Sequence, residues 1–567
     1  MRKRGRLLLT AAMCLGTSMM GVSLVMNPVA MADTPGAAPP SSGQAPTLVD
    51  NGSTVTLSNS QVSVTIKKNT GVITSMKDSS GKELLGNGGY GYFLANYSLG
   101  NSGYLFGVSG GPGGTNMVVV DPNHQETKTT LNYSVVTQNK NEIAIDESIN
   151  DPSVLPFSID LLFVLRRNSP GIYTYEKYGY SSQDASQVAS QNLGPLHIGQ
   201  TRYSVRVDPT MFTQYAVSNK RMGTLPTPQD IANSNTFTNA THLLSNGAVY
   251  TKYSYSQYQY KTRAYGFYGD GTGISFVTPH EDYLGGGPSR QDLTLEQTSQ
   301  SPILLWQPIS SHYGAPGVTP TAGWSKLYGP IFIYVNHTDS LQSMWQNDQQ
   351  EAALQGLQWP YQWLMDPLYQ ASSRGRVVGH LQLPGTYHPI QKGWVVLASP
   401  GVDWQLQSLG YEAYAPLSPG GSFSIPAARP GTYTLYAFAD GVDGQFELSN
   451  ITVRANGVTN VGNQQWTPLS YGKTLWQIGN PSRSSEQFRN GANHYQFADY
   501  LQYPLDFPKG VNYYVGQSNY ATDWNYVQPV YKTPGNNFEV QHFDNMTPNR
   551  TDPNPWTINF NLIFRSP

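Results

Sequence analysis

From residue 47 onward, apolar and polar residues alternate in short runs, and each run ends in turn-forming residues. The stretch TVTLSNSQVSVTIKKNTGVITSMKDSSGKELL, residues 54–85, shows the habit. Its apolar positions recur every second residue, the period of a half-buried strand, and Asn-Ser, Asn-Thr-Gly and Ser-Ser-Gly stand where turns are needed. The texture persists to about Asn336 and predicts a large all-β domain. One convincing long helix follows in TDSLQSMWQNDQQEAALQGL, residues 338–357. Asp339 or Ser340 is placed to cap it, and Leu341, Met344, Trp345, Ala352 and Leu357 make its apolar stripe. QWPYQWL then breaks the helix, and a domain boundary is expected near Ser372. Beyond it GRVVGHLQL, GWVVLASP, GSFSIPAARPGTYTLYAFADGV and NITVRANGVTNVG read as the short strands of a smaller sandwich ending near residue 466. A last segment runs from residue 467 to 567, and no strong internal repeat is visible.

Composition agrees with this pattern. Charged residues make up 12%, while Gly (56), Pro (40) and Tyr (38) are abundant, as suits strands and turns rather than surface helices. A chain of 567 residues exceeds one compact core, so about two to four domains are expected. The formal net charge of −2 argues against nonspecific nucleic-acid binding, which needs a basic surface.

The N-terminus has a basic start, an apolar run and then Ala30-Met31-Ala32, so residues 1–32 are read as a signal peptide and residues 33–46 as a Pro/Ala/Ser/Gly linker. Export is therefore expected, with no membrane contact after cleavage. The single cysteine, Cys14, lies in the leader, which leaves the mature chain without disulfides, thiolate chemistry or cysteine-based zinc sites.

Four stretches offer chemistry. Residues 250–267, YTKYSYSQYQYKTRAYGF, hold six tyrosines, two lysines and one arginine, and no acid. As a strand they would put Tyr250, Lys252 and Ser254 on one face. The tyrosines change phase at Gln257, which calls for a bulge or turn there. Within GQTRYSVRVD, Arg202, Ser204 and Arg206 share a parity opposite Tyr203, Val205 and Val207, so two guanidiniums could clamp carboxylates. LLWQPISSHYGAPG leads from an apolar strand into a polar loop with His312. TPHEDYLGGGPSRQDLTLE carries His280, Glu281, Asp282 and Glu296, whose spacing singles out neither a glycosidase pair nor a calcium site. No phosphate loop, HExxH or EF-hand motif occurs.

Three C-terminal passages change the weights. GSFSIPAARPGTYTLYAFADGVDGQF, YGKTLWQIGNPSRSSEQFRNG and LQYPLDFPKGVNYYVGQSNYATDWNYVQP together resemble the rhamnogalacturonan endolyases of polysaccharide lyase family 4. TRYSVRVDPTMFTQYAVSNKRMGTLPTPQD, KYSYS and SSHYG are similar to that family's catalytic segments in the same order. The resemblance implies a galactose-mutarotase-like β-sandwich (residues 47–372), a fibronectin-type-III-like sandwich (373–466) and a jelly roll like carbohydrate-binding modules (467–567). It implies cleavage of rhamnose-(1→4)-galacturonate bonds in rhamnogalacturonan I, the pectin backbone, by β-elimination. The family's lysine–histidine pair falls on Lys252 and His312, with the assignment of base and acid open between them. Arg202, with Arg206 or Arg263 as alternates, is the candidate for the substrate carboxylate, and Tyr250 and Tyr313 are candidate walls of the cleft. Catalysis is expected to need no metal, calcium being given at most a structural place, and a monomer is expected.

Two departures stand out. Trp306, Gln307 and Pro308 precede His312 where fungal members carry tyrosines, and the chain stops soon after WTINFNL, so the jelly roll is expected to be incomplete. Competing readings are a non-catalytic carbohydrate-binding protein on the same fold and a glycoside hydrolase using Glu281 or Glu296.

Overall fold

A computed structural model describes residues 43–567 apart from 87, 239, 259, 262, 311, 313–315, 386, 494–502, 504–505, 528–555 and 562–567. The expected leader, most of the linker and Tyr313 lie outside the described residues.

The period-two pattern becomes two large sheets. Thr54–Ser58 pairs with Ser63–Lys67 so that Val55 meets Ile66 and Leu57 meets Val64, and all four are buried. Repetition of this arrangement gives an eleven-stranded sheet and a nine-stranded sheet, mostly antiparallel meanders. Their inner faces close on one apolar core that includes Phe93, Phe163, Tyr203, Val205, Phe276 and Ile333. A sandwich buries both inner faces and leaves the outer ones free to carry loops and sites.

The long helix spans Leu341–Gln358, and Ser340 caps it, its Oγ accepting from Ser343 N at 3.2 Å. It packs on the outer face of the nine-stranded sheet through Met344, Trp345 and Ala352. Leu357, read as part of the stripe, is instead 71% exposed, and the polar Asp348 and Gln355 are buried in its place. Asp348 is held there by Asn336 Nδ2 (2.5 Å) and the Tyr268 hydroxyl, a network that a hydrophobic pattern does not reveal. A second helix, Ser182–Gln191, escapes the pattern because it is mostly polar; a capping box of Ser181 and Asp184 starts it. Among the described residues no helix is long and apolar enough to cross a membrane.

The smaller sandwich begins with the strand Gly375–Gln382 and joins a three-stranded to a four-stranded sheet around Val377, Val395, Leu397, Ile425 and Leu435. It is bolted to the first by buried ions. Asp282 accepts from Arg374 Nη1 at 2.8 Å and from Arg429 Nε at 3.0 Å, and both arginines also donate to the Tyr369 carbonyl. Past residue 466 the described residues form a small apolar cluster of Tyr503, Phe507, Val511 and Tyr513 and a parallel pair, Asn512–Tyr514 with Thr557–Asn559.

Candidate active site

The outer face of the eleven-stranded sheet supplies the floor. Four strands lie side by side there: Gly91–Leu99, Leu196–Arg206, Pro302–Ile309 and Leu295–Gln297. Tyr203 and Val205 point into the core, so Arg202, Ser204 and Arg206 take the opposite face. Register then sets their neighbours. Arg202 lies opposite Leu94, Ser204 between Tyr92 and Leu305, and Arg206 opposite Ile303, which in turn lies opposite Glu296. The Arg206 guanidinium sits 5.9 Å from the ring centres of Tyr90 and Tyr92 and donates to Ser301 Oγ at 3.4 Å. Arg202 Nε is buried and meets no hydrogen-bond partner among the described residues.

The tyrosine-rich stretch is laid across this floor, and it is not one strand. The strand Val249–Thr251 ends where Thr251 Oγ1 accepts from Tyr253 N (3.3 Å) and starts a 3-10 turn, Lys252–Tyr255. A new strand, Gln257–Tyr258, follows, so the break precedes the phase change seen in the sequence. Tyr253 drops onto Leu293, Ile303 and Leu305, an apolar patch of the floor. Its ring is 5.6 Å from Lys252 Nζ and 6.1 Å from the His312 ring, the latter nearly perpendicular to it at 81°. Lys252 and His312 are thus both neighbours of one aromatic ring. The loop of His312 is steadied by its N–H, which donates to Ser310 Oγ at 3.2 Å, while Ser310 Oγ donates to Gln307 Oε1 at 3.2 Å.

Lys252 is only 7% exposed. Burial pushes its pKa below the ordinary lysine value, the Glu296 carboxylate pulls it back up, and the Arg202 guanidinium pushes it down again. The balance favours an amine that gives up its proton more readily than a surface lysine does. Glu296 is thus the carboxylate whose charge acts on Lys252, which sequence spacing did not suggest.

Two expected substrate contacts have partners within the protein. Tyr250 is buried in the core, where its hydroxyl accepts from Gln297 N and its ring packs on Tyr255, so it presents no face to a sugar. Arg263, its side chain 35% exposed, pairs with the buried Glu281 through Nε at 3.3 Å and donates to the Pro279 carbonyl at 3.0 Å. The same pair removes Glu281 from any open cleft, since it is 1% exposed. Among the described residues no three His, Cys, Asp or Glu side chains gather as metal ligands.

Comparison with known proteins places this architecture. A family model described as "Rhamnogalacturonate lyase family" matches residues 31–250. Models described as domain II and domain III of polysaccharide lyase family 4 match residues 385–461 and 474–566. These are successive parts of one multidomain lyase family. The chain belongs to polysaccharide lyase family 4, the rhamnogalacturonate lyase family. It is 28% identical to a rhamnogalacturonate lyase of Dickeya dadantii (strain 3937) over 71% of this chain, and it spans 64% of that relative's length. It is 25% identical to a probable rhamnogalacturonate lyase B of Aspergillus flavus, covering 91% of this chain and 78% of that one. Among solved structures, a galactose mutarotase-like protein from Lactobacillus casei aligns over 50% of this chain and all of its own length at 11% identity, with a TM-score of 0.29 that is too low to carry an argument.

Proposed function

We propose that the protein is a rhamnogalacturonan lyase that cleaves the rhamnose-(1→4)-galacturonate bond of rhamnogalacturonan I by β-elimination. The observation that carries the reading is that a buried Lys252, acted on by the Arg202 charge, and His312 both neighbour the Tyr253 ring. Elimination needs a base at C5 of galacturonate, a cationic partner for its carboxylate and an acid for the departing O4. Lys252, with its pKa lowered, takes the C5 proton, and the electron pair released moves toward the carboxylate as an enediolate. Arg202 on the floor beside it neutralises that charge, with Arg206 next along the same strand face. The C4–O4 bond then breaks as the C4–C5 double bond forms, and a protonated His312 gives its proton to O4. The reversed assignment, with His312 as base and a charged Lys252 at the carboxylate, uses the same groups. Internal cleavage of the polymer, catalysis without a metal, and export of a monomeric enzyme belong to the same proposal.

The products test it. Rhamnogalacturonan I incubated with the protein is expected to gain the absorbance of an unsaturated uronate, and the rate is expected to withstand a chelator as long as the fold does. Saturated reducing ends without that chromophore would replace elimination by hydrolysis. Binding without any new ends would leave a carbohydrate-binding protein.

A further inference from the structure

Lys252 stands on a short turn rather than on a strand, and a turn of four residues cannot hold a lysine in a fixed place by itself. Lys252 N donates to the Ala240 carbonyl at 3.3 Å, and the far end of the turn and the two residues after it are held by one side chain, that of Arg221. Arg221 opens the strand Arg221–Thr224, which pairs with Gln214–Ser218 at the edge of the nine-stranded sheet, not the sheet that carries the site. Its Nη1 donates to the Ser254 carbonyl at 3.0 Å and to the Ser256 carbonyl at 2.6 Å, and its Nη2 donates to Gln257 Oε1 at 2.7 Å. Gln257 is buried and passes the restraint on, its Nε2 donating to the Val217 carbonyl at 2.8 Å. The bond from Thr294 Oγ1 to the Tyr255 carbonyl falls between the two carbonyls that Arg221 holds. A planar guanidinium suits this task because its donors are fixed in a fork, whereas an ammonium is a point charge that cannot span such a set of acceptors.

We propose that Arg221 is a positioning residue, which clamps the Lys252–Tyr255 turn onto the active face by gripping the carbonyls of Ser254 and Ser256 and the side chain of Gln257. The inference rests on the lyase reading above, since it assigns Arg221 a share in delivering Lys252 to the substrate. It reaches the sugar only through Lys252 and Tyr253. With the clamp loosened, Lys252 moves relative to Arg202, Glu296, Tyr253 and His312, the groups that face it from the floor and the neighbouring loop, and water gains access to it.

The test compares wild type, Arg221→Gln, Arg221→Lys and Lys252→Ala as full chains on rhamnogalacturonan I, reading kcat, KM, the pH–rate profile and thermal melting. Both Arg221 variants are expected to lose about 10–100-fold in kcat, the scale at which small misplacements of a reacting group are felt, with KM little changed. Their rising pH limb is expected to move to higher pH, because a better-hydrated Lys252 is a stronger base with less free amine at a given pH. Cooperative melting is expected to survive. A wild-type kcat and pH limb in both variants, with Lys252→Ala inactive, would overturn the positioning role and leave the lyase reading standing. Loss of cooperative melting in both would overturn it as well, since Arg221 would then hold the fold and not the turn. An inactive wild type would instead sink the lyase reading itself.

Discussion

In the proposed mechanism the chemistry turns on which charges act on Lys252. Arg202 and Glu296 act on it in opposite senses while burial disfavours its charge. Removing the carboxylate in Glu296→Gln is therefore expected to lower the Lys252 pKa further and move the rising limb of the pH–rate profile to lower pH. Removing the cation in Arg202→Gln is expected to move the limb the other way and to raise KM, since the uronate loses its partner. Limbs that stay in place, measured on the same polymer, would contradict a Lys252 base. The parity of Arg202, Ser204 and Arg206 was readable because a strand has a period of two and the apolar Tyr203 and Val205 settle which face is inside. Tyr250 and Arg263 were harder to place, for a different reason. A tyrosine serves a core or a cleft equally well, and the partners that decide it, Gln297 N for Tyr250 and Glu281 for Arg263, are brought up only by the fold. Glu296 stayed unrecognised as the carboxylate acting on Lys252 because its place is set by register across two strands, opposite Ile303, which is opposite Arg206.

At the scale of elements, alternation predicted strands well, and the phase change at Gln257 called for a break that the structure places a few residues earlier. Residues 250–260 keep a strand-like texture, yet Thr251 caps a 3-10 turn that re-aims Lys252 and Tyr253 toward the floor. Local rules tend to be broken at functional sites in just this way. The helix Leu341–Gln358 shows the converse case. Its cap and most of its apolar stripe were legible, but the buried Asp348 was not, because an isolated Asp in a helical pattern reads as solvent-facing. Burial pushes the Asp348 carboxyl up to about 7, while its bonds from Tyr268, Ser275 and Asn336 oppose the rise. With the folded pKa above the unfolded one, its contribution to stability is complete in acid and is lost as pH climbs from about 4 to about 7. Asp348→Asn is expected to remove that loss. The difference in unfolding free energy between wild type and variant should therefore change by up to about 1.4 kcal/mol per pH unit across this window. A pH-independent difference in denaturant melts would contradict the assignment.

Across the whole molecule, the two sandwiches meet at a buried charge cluster that no sequence pattern announces, since Asp282, Arg374 and Arg429 are far apart in the chain. Burial alone would raise the Asp282 carboxyl, but Arg429 and Arg374 outweigh it and hold it well below the usual carboxylate range. A depressed folded pKa contributes stability throughout neutral pH, and acid removes it only as pH falls below the ordinary carboxylate values. Asp282→Asn would strand two buried guanidiniums and is expected to cost about 3–5 kcal/mol. It is also expected to let the two sandwiches melt in separate transitions, visible by calorimetry. A single transition at an unchanged midpoint would show that the cluster does not couple them.

The most direct test of the central claim is the rate of unsaturated-uronate formation from rhamnogalacturonan I by wild type, Lys252→Ala and His312→Ala, each verified as folded by its melting curve. The account predicts a robust signal from wild type and losses of about a hundredfold or more in each variant, the scale of a positioned acid or base. Near-wild-type rates in both variants would contradict it, because the amine and the imidazole beside the Tyr253 ring would then take no part in breaking the bond.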